Sequence, residues 1–323
     1  MKILLIEPQD RPLRSITKEQ KEQIQSLSSD IELEVVLASN IADIENHLKD
    51  AEIVAGMSRA IPDLSFGKNL KWIHSFAAGM DRVLTPELIN SSVLASNSSG
   101  IHATPIAEHI IAFLLIFTRQ FYPSFRNQQE KTWQRINELT ELKDKTVLVI
   151  GLGKIGSEAA RLAYCFNAHI IALDTQDKKK PSFVQELGTG EQVVEFLGKA
   201  DFVILTLPYT KDTHHFINKE RLEIMQSHAV LVNIGRGAVV DEQALIDALE
   251  RKVIAGAALD VTEEEPLPKD SPLWEMENVI ITPHHSGISE RYMERAINLF
   301  CENLKAYLKG EKLPNLIDKE RGY

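Results

Sequence analysis

The sequence predicts an α/β protein with two domains, each built around a parallel sheet that helices cover. Short β-branched runs alternate with amphipathic stretches along the whole chain, which is the rhythm of βαβ units. The runs fall into two separate series, and 323 residues are enough for two compact cores. Apolar residues make up 44% of the chain and charged residues 25%, as is usual for a soluble globular protein.

Each series predicts one sheet. The apolar runs of the first are "KILLIE", "VVLA", "EIVAGM", "KWIHSFA" and "VLASN", with helix-like segments at 17–27 and 41–48 between the first three. The second series begins near Lys145 with "TVLVIG", "HIIALD", "FVILTLP", "AVLVNIG", "AGAALDV" and "VIITP". These later runs are apolar on both sides of the alternation, as parallel strands buried on both faces are. We therefore expect two parallel sheets.

Two long helices are predicted where the series meet. Thr104 and Pro105 indicate an N-cap followed by proline at the first helical position, which opens a helix to about Tyr122. Its apolar surface is broad, so we expect it to pack between domains or against a second subunit. That surface includes Phe113, Leu114, Phe117 and Phe121. A second helix, at 289–308, leaves the second series and could return to the first domain.

Charge and composition exclude several classes of protein. A net charge of −10, with no basic face in the sequence, argues against a nucleic-acid partner. The longest purely apolar run, 110–117, is too short to cross a bilayer, and the N-terminus does not resemble a signal peptide. Cys165 and Cys301 are too few and too far apart for a disulfide framework. We expect a cytoplasmic protein without a membrane partner.

The stretch "ITPHHSG" places His284 beside His285 after a β-branched run. Side chains of neighbouring residues leave a strand on opposite faces, so the two rings should point to different places. Adjacent histidines are therefore poor joint metal ligands, and we predict no metal site. His285 is expected to be structural.

A glycine-rich turn follows the first run of the second series. In "VLVIGLGKIGSEAARLA", Gly151 allows a tight turn, Gly153 admits a pyrophosphate close to the backbone, and Gly156 lets helix and strand pack closely. The helix N-terminus then offers its N–H groups to phosphates. The alternative is a packing turn in a Rossmann-like fold that binds S-adenosylmethionine or nothing.

Asp174 favours NAD over NADP as the cofactor. It ends the next run, "HIIALD", where a carboxylate can accept hydrogen bonds from both ribose hydroxyls and repel a 2′-phosphate. Lys178–Lys180 complicate this interpretation, because positive charge there can accept a 2′-phosphate. A solvated loop is the other role for that run.

At this point the chain resembles the D-isomer-specific 2-hydroxyacid dehydrogenase family over nearly its whole length. The motifs are "VIGLGKIG", "LPYTKDTHHFI", "LVNIGRGAVVDEQAL", "AALDVTEEEPLP" and "VIITPHHSG", in the order of the family. The resemblance implies a Rossmann NAD-binding domain, 102–285, with a dimerisation helix. That domain would be inserted in a flavodoxin-like substrate-binding domain made of 1–101 and 286–323. It also implies a homodimer.

The resemblance also implies a set of site residues. The family's catalytic arginine, glutamate and histidine fall on Arg236, Glu265 and His284. The implied cofactor contacts, beside the three glycines and Asp174, are Lys154, Ile155, Leu207, Pro208, Thr213, Ile234, Gly235, Arg236, Asp260, His284 and Gly287. Ala78 and Gly79 match the loop whose N–H groups hold the substrate carboxylate. Arg59 could add a contact to a carboxylate or phosphate, or could be a surface arginine.

The residues support this chemistry independently. Arg236, Glu265 and His284 all follow the C-terminal ends of expected parallel strands, the edge at which open α/β sheets bind ligands. An arginine can hold a carboxylate bidentately, a histidine can donate a proton to a ketone oxygen, and a nearby glutamate favours the charged imidazolium. We expect an NAD-dependent enzyme acting on a small 2-keto acid, of the glyoxylate/hydroxypyruvate or 3-phosphoglycerate kind.

Two other functions were considered. Transcriptional corepressors that sense dinucleotides share this fold and can retain the same residues, so turnover of keto acids would have to separate the two. Formate dehydrogenases resemble this family with a glutamine at the glutamate position, and Glu265 argues against that branch.

Overall fold

A computed structural model of the protein describes residues 1–7, 15–57, 67–80, 83–175 and 179–319. The chain divides into two compact units, one made of Met1–Ile101 with Ser289–Tyr323 and the other of His102–Ile288. We had expected the divisions after residues 101 and 285. Each unit contains a parallel sheet with helices, so the predicted α/β fold class is confirmed.

The described elements alternate along the chain as the two series of runs predict. The strands are β1 (Lys2–Ile6), β2 (Glu34–Ala38), β3 (Ile53–Gly56), β4 (Trp72–Ser75), β5 (Leu94–Asn97), β6 (Thr146–Ile150), β7 (His169–Leu173), β8 (Glu186–Gly188), β9 (Phe202–Leu205), β10 (Val230–Asn233), β11 (Gly256–Leu259) and β12 (Val279–Ile281). The helices are α1 (Lys18–Gln25), α2 (Ile41–Leu48), α3 (Pro86–Ile89), α4 (Ala103–Thr118), α5 (Phe121–Gln129), α6 (Lys154–Cys165), α7 (Val193–Leu197), α8 (Lys219–Ile224), α9 (Glu242–Glu250) and α10 (Tyr292–Leu308). Among these helices, not one has both the length and the apolar character that crossing a membrane requires.

The strand orders identify the two sheets. The discontinuous unit has the order β2-β1-β3-β4-β5, which is the flavodoxin-like order of doubly wound sheets. The continuous unit has the order β12-β11-β10-β9-β6-β7-β8, in which successive strands are added on one side of β6 up to β8 and on its other side from β9 onwards, as in a Rossmann sheet. The short edge strand β8 was not predicted, because its "ELG" sequence lacks an apolar run.

Local capping decides where the first helices begin. The Thr17 hydroxyl accepts a hydrogen bond from the Gln20 N–H, and the Gln20 side-chain oxygen accepts one from the Thr17 N–H, so α1 starts at Lys18. Asn40 caps α2 through the N–H of Asp43. The segment predicted at 41–48 is confirmed, and the one predicted at 17–27 is shorter by one residue at its start and two at its end.

The prediction of one helix that Thr104 caps and that runs from Pro105 to about Tyr122 was wrong at both ends. Helix α4 begins at Ala103 after His102, and Pro105 is tolerated because N–H groups in a first turn lack helical partners anyway. It ends at Thr118, since Gln120 takes a left-handed conformation with φ 53°, and α5 starts afresh at Phe121.

The broad apolar surface of α4 is largely used inside its own unit. Phe113 and Leu114 are buried in a cluster with the small residues of α6 and with the Rossmann strands. Ala159, Ala160 and Ala163 of α6 are fully buried there. For this part of α4, neither a second subunit nor the other domain is needed to explain the pattern.

His74 lies at the centre of the core of the first unit and is fully buried. Its Nδ1 lies 2.7 Å from the Ser96 hydroxyl and its Nε2 lies 3.1 Å from the Ser98 hydroxyl. The rings of Trp72, Phe76 and Phe300 surround it. Burial lowers the pKa of His74 from 6.5 to about 3, because a charged imidazolium there would lose its hydration.

The stability of the protein should consequently fall on mild acidification. The unfolded chain protonates His74 near its ordinary pKa of 6.5 while the folded protein does not, so the contribution is present above 6.5 and is lost towards about 3. His74→Gln should be less stable at neutral pH, yet lose less stability on acidification, by at most about 1.4 kcal/mol per pH unit. Urea unfolding of both proteins at several pH values measures this, and parallel pH profiles would contradict it.

Candidate active site

Three neighbouring strands bring the predicted catalytic residues to one edge of the Rossmann sheet. Strands β10, β11 and β12 pair in parallel, with Asn233 opposite Leu259 and Leu259 opposite Ile281. Their carboxyl ends therefore meet at one edge, and Arg236, Glu265 and His284 follow these ends along the chain. This is the edge at which open α/β sheets bind ligands.

The turn that carries Arg236 is held from inside by Asn233. The Asn233 amide oxygen accepts from the Gly235 N–H at 3.1 Å, and its amide nitrogen donates to the Arg236 carbonyl at 3.0 Å. A Cβ on Gly235 would lie 2.6 Å from the Leu207 carbonyl oxygen, and one on Gly237 would lie 1.9 Å from that of Thr262. Only glycine fits on either side of Arg236, which is itself exposed.

The close approach of Gly237 joins this turn to the loop that carries Glu265. In that loop the Thr262 hydroxyl donates to the Glu264 carbonyl at 2.7 Å, and the Thr262 N–H lies 3.4 Å from Glu265 Oε1. Glu263 instead faces His215, with 3.0 Å between its Oε1 and the imidazole Nε2. The structure therefore distinguishes the three consecutive glutamates, which sequence reasoning separated only by the family register.

Glu265 and His284 form a direct pair. Glu265 Oε2 lies 2.8 Å from His284 Nδ1, while the side chains keep 39% and 51% of their surface exposed. A hydrogen bond at Nδ1 leaves the opposite nitrogen, Nε2, for another partner. The carboxylate holds the ring through Nδ1, so Nε2 is the nitrogen that can deliver a proton to a ligand and take one back.

The two adjacent histidines have different partners, as predicted, but the reason given was wrong. Strand β12 ends at Ile281, so strand alternation no longer applies at His284. His284 adopts a left-handed backbone conformation with φ 49°, and its ring turns to Glu265. The His285 ring contacts His109 edge to face, with 5.6 Å between the centroids.

Asp260 holds the whole histidine loop. Its carboxylate, 2% exposed, accepts from the Thr282 hydroxyl at 2.6 Å, from the His285 N–H at 3.1 Å, and from both the N–H and the hydroxyl of Ser286. Its backbone carbonyl accepts from the His284 N–H at 2.8 Å. Asp260, one of the implied cofactor contacts, thus also fixes the loop around the predicted catalytic histidine.

His109 extends this network from α4. Its Nε2 lies 3.1 Å from the Thr282 hydroxyl, and burial lowers the pKa of His109, an effect that Asp260 opposes and His285 reinforces. Ligand atoms of His109, Asp260 and His285 lie within 4.8 Å of one another, close enough to hold a metal ion. Because the Asp260 oxygens already accept several hydrogen bonds, we interpret the group as a hydrogen-bond network.

The glycine-rich turn has the geometry that phosphate binding requires. Gly151 has φ +96°, and a Cβ on Gly156 would lie 2.0 Å from the Gly151 carbonyl oxygen. Around Gly153, the N-cap of α6, nothing would meet a Cβ within 4 Å. The turn therefore leaves open space beside the first N–H groups of a twelve-residue helix that begins at Lys154 and Ile155, which fits a pyrophosphate.

Asp174 lies immediately after β7 and touches the same turn. Its Oδ2 accepts from the Leu152 N–H at 2.9 Å, so the carboxylate stays beside the glycines. Lys180 donates to the Val184 carbonyl at 2.7 Å within its own loop, and Lys178 lies outside the described residues.

The remaining predicted cofactor contacts lie at the same edge. Leu207 and Pro208 follow β9, and the Thr213 hydroxyl donates to the Pro208 carbonyl at 2.7 Å. Ile234 follows β10 and is buried. A Cβ on Gly287 would lie 2.9 Å from the His102 ring, so a side chain at this position would displace that ring.

The predicted substrate residues lie in the first unit. Ala78 and Gly79 follow β4, and the buried Asn97 amide donates to the Ala78 carbonyl at 2.6 Å. The Ser98 N–H donates to the Ala77 carbonyl at 3.2 Å, so two contacts from the segment after β5 define the course of this loop. Arg59 lies outside the described residues.

Sequence reasoning missed the buried and partly buried polar residues that hold these loops. They are the buried Asn233, Thr262 and Ser286 and the partly buried Thr282 and His109. The available signal was a polar residue inside or just after an apolar run, such as Asn233 in "AVLVNIG" or His109 in the apolar helix α4. A buried polar side chain needs a partner, and which backbone groups it meets depends on the fold.

Most of the Rossmann unit matches a known family model. Residues 111–286 match the family model described as "D-isomer specific 2-hydroxyacid dehydrogenase, NAD binding domain". A glyoxylate reductase of Thermofilum pendens is 36% identical over 258 residues, which is 78% of this chain and 76% of the relative.

Two solved structures share the fold over nearly the whole length of the chain. A D-isomer specific 2-hydroxyacid dehydrogenase family protein from Aeromonas salmonicida has a TM-score of 0.85 at 28% identity, covering 98% of this chain and 99% of that one. An NADPH-dependent glyoxylate/hydroxypyruvate reductase from Sinorhizobium meliloti, in complex with NADP and sulfate, has a TM-score of 0.81 at 26% identity, covering both chains fully. With the matched family model and the relative from Thermofilum, these likenesses show that the chain belongs to the D-isomer specific 2-hydroxyacid dehydrogenase family.

Proposed function

We propose that the protein uses NADH to reduce a small 2-keto acid to a D-2-hydroxy acid, and catalyses the reverse oxidation. The observation that carries this proposal is the His284–Glu265 pair, 2.8 Å apart, at the carboxyl edge of a Rossmann sheet. Arg236 lies at the same edge, after β10, while Glu265 follows β11 and His284 follows β12. Together they provide a proton donor, its charge partner and a carboxylate anchor.

The cofactor is proposed to lie along the Rossmann edge. The N–H groups at the start of α6, beside Gly153, would hold its pyrophosphate, and Asp174 would accept hydrogen bonds from the adenosine ribose. Leu207, Pro208, Thr213, Ile234, Gly235, Asp260 and Gly287 would line the remainder. When bound, the nicotinamide supplies the hydride that the reduction requires.

The protein's own groups would then bind the acid and move the proton. Arg236 has five N–H donors in a fixed plane and would hold the substrate carboxylate bidentately beside the ketone. His284 would donate the proton from Nε2 to the ketone oxygen, while Glu265 at Nδ1 holds the ring in the orientation that this requires. In the oxidation direction, neutral His284 would accept the hydroxyl proton.

The names of two similar proteins support the proposed substrate class. The relative from Thermofilum is a glyoxylate reductase and the Sinorhizobium structure is a glyoxylate/hydroxypyruvate reductase. We propose a small acid of this kind, with the backbone N–H groups of Ala78 and Gly79 as further carboxylate contacts. A panel of 2-keto acids with NADH, followed by absorbance, tests the proposal, and absence of turnover with all of them would contradict it.

Replacing His284 should remove most of the activity. His284→Ala is expected to lower kcat by something on the order of 10²–10⁴-fold while NADH still binds, because proton donation is lost and the glycine-rich turn is untouched. His285→Ala is the matched control and should lose much less, since its ring contacts His109 rather than Glu265. Steady-state kinetics and NADH titration measure both variants. Equal losses at the two histidines would contradict the assigned proton donor.

The enzyme should prefer NADH to NADPH, because Asp174 repels a 2′-phosphate. Asp174→Asn is expected to narrow the preference in kcat/KM by about tenfold, since it removes the charge but keeps an acceptor for the Leu152 N–H. Kinetics with both cofactors measure the ratio. A wild-type preference for NADPH would mean that the lysines after β7 outweigh Asp174.

We further propose a homodimer in the cytoplasm. Trp133 is completely exposed within a segment, 130–141, whose residues are nearly all exposed, and Phe121 and Phe125 stack on each other at the surface. Exposed aromatic groups of this size are typical of a surface that a partner covers.

A cytoplasmic location agrees with two free cysteines, Cys165 and Cys301.

Light scattering at about micromolar concentration should give twice the chain mass for the wild-type protein. Trp133→Ser should shift the distribution towards the monomer, because it removes a large apolar contact. Val194→Ser, at another exposed apolar position, is the control and should leave the mass unchanged. A monomeric wild-type protein would contradict the proposal.

A further inference from the structure

We propose that Asn233 is a positioning residue that orients Arg236 towards the substrate carboxylate. The inference rests on the proposed function, and it concerns a residue that has no part in binding or proton transfer. Asn233 is the last residue of β10, is 1% exposed, and lies three residues before Arg236.

The Asn233 side-chain amide forms two hydrogen bonds with the turn, one before and one after the Arg236 Cα. Its oxygen accepts from the N–H of the preceding residue, Gly235, and its nitrogen donates to the carbonyl of Arg236 itself. The Asn233 backbone carbonyl accepts from the Asp260 N–H at 3.0 Å. Asn233 is thereby also bonded to Asp260, which follows the neighbouring strand β11 and holds the loop that carries His284.

The turn needs such a constraint because glycines flank the arginine. Gly235 and Gly237 are required by close contacts to the Leu207 and Thr262 carbonyls, yet glycine restricts its own backbone least of all residues. The direction of the Arg236 side chain depends on its φ of −140° and ψ of 143°. Fixing the groups on either side of its Cα therefore fixes where the guanidinium can reach.

Only a carboxamide of this length supplies the donor and the acceptor together. Aspartate keeps the acceptor for the Gly235 N–H but loses the donor, so a carboxylate oxygen would face the Arg236 carbonyl oxygen. In this structure the guanidinium Nη1 already donates to the Gly235 carbonyl at 2.8 Å, within the same turn. A loosened turn with a new negative charge beside it would turn the guanidinium away from a ligand.

A double-mutant cycle with glyoxylate and NADH tests the inference. Asn233→Asp should lower kcat/KM for glyoxylate by about 10–100-fold, as expected when a substrate-binding group is misplaced by about 1 Å, with the Kd of NADH within about twofold of wild type. In an Arg236→Lys background, the same change should cost less than about threefold, because Asn233 acts through the arginine. If Asn233 only stabilised the fold, Asn233→Asp would lower kcat/KM by the same factor in the wild-type and the Arg236→Lys backgrounds.

Asn218→Asp provides the matched control. It makes the same chemical change in the same unit, at the N-cap of α8, where the Asn218 side chain accepts a hydrogen bond from the Arg221 N–H and aspartate can do the same. Its kinetics should equal those of the wild type. If Asn233→Asp does not bind NADH, Asn233→Ser, which keeps one short polar group without the charge, is measured in its place by the same criteria.

The outcomes separate the two proposals. An active wild-type enzyme with additive losses at Asn233 and Arg236, or with an unchanged kcat/KM in the Asn233 variant, would overturn the positioning role alone. A wild-type enzyme that reduces no 2-keto acid would overturn the proposed function, and the inference with it. Non-additive losses with intact NADH binding would support both.

Discussion

The buried carboxylate of Asp260 is the interaction on which the candidate site depends. Three residues of the loop after β12, Thr282, His285 and Ser286, donate to it, while the His284 N–H donates to its backbone carbonyl. A carboxylate with so little exposure is costly unless donors satisfy it, so the loop has a strong reason to wrap around it. The left-handed conformation of His284 is a consequence, because only a sharp turn brings donors on both sides of it to one acceptor.

A second buried polar side chain holds a loop at the end of the neighbouring strand. Asn233 is the last residue of β10 and Asp260 follows β11, and the side chain of each holds a loop that carries a predicted catalytic residue. Parallel sheets place all such loops at one edge, where their side chains share a small volume. The strands are held rigidly because both of their faces are buried. Polar residues at the strand ends then fix the loops through hydrogen bonds.

Packing limits constrain the site as strongly as hydrogen bonds do. A Cβ on Gly156, Gly235 or Gly237 would lie between 1.9 and 2.6 Å from a backbone oxygen, so these loops exist only with glycine there. Gly153 is different, because open space surrounds it. The glycines that join loops to one another are thus distinguished by geometry from the glycine that leaves room for a ligand.

The sequence by itself determined the two parallel sheets, all of their strands except β8, the family and the sheet edge that carries Arg236, Glu265 and His284. It could do so because buried parallel strands are continuous apolar runs, and because glycine turns and strand ends are local features. The break between α4 and α5, the edge strand β8 and the left-handed conformation of His284 were decided by tertiary structure. So were the partners of Asn233, Asp260 and His109, because a buried polar group bonds to whichever chain segment the fold brings beside it, and that segment can be distant in sequence.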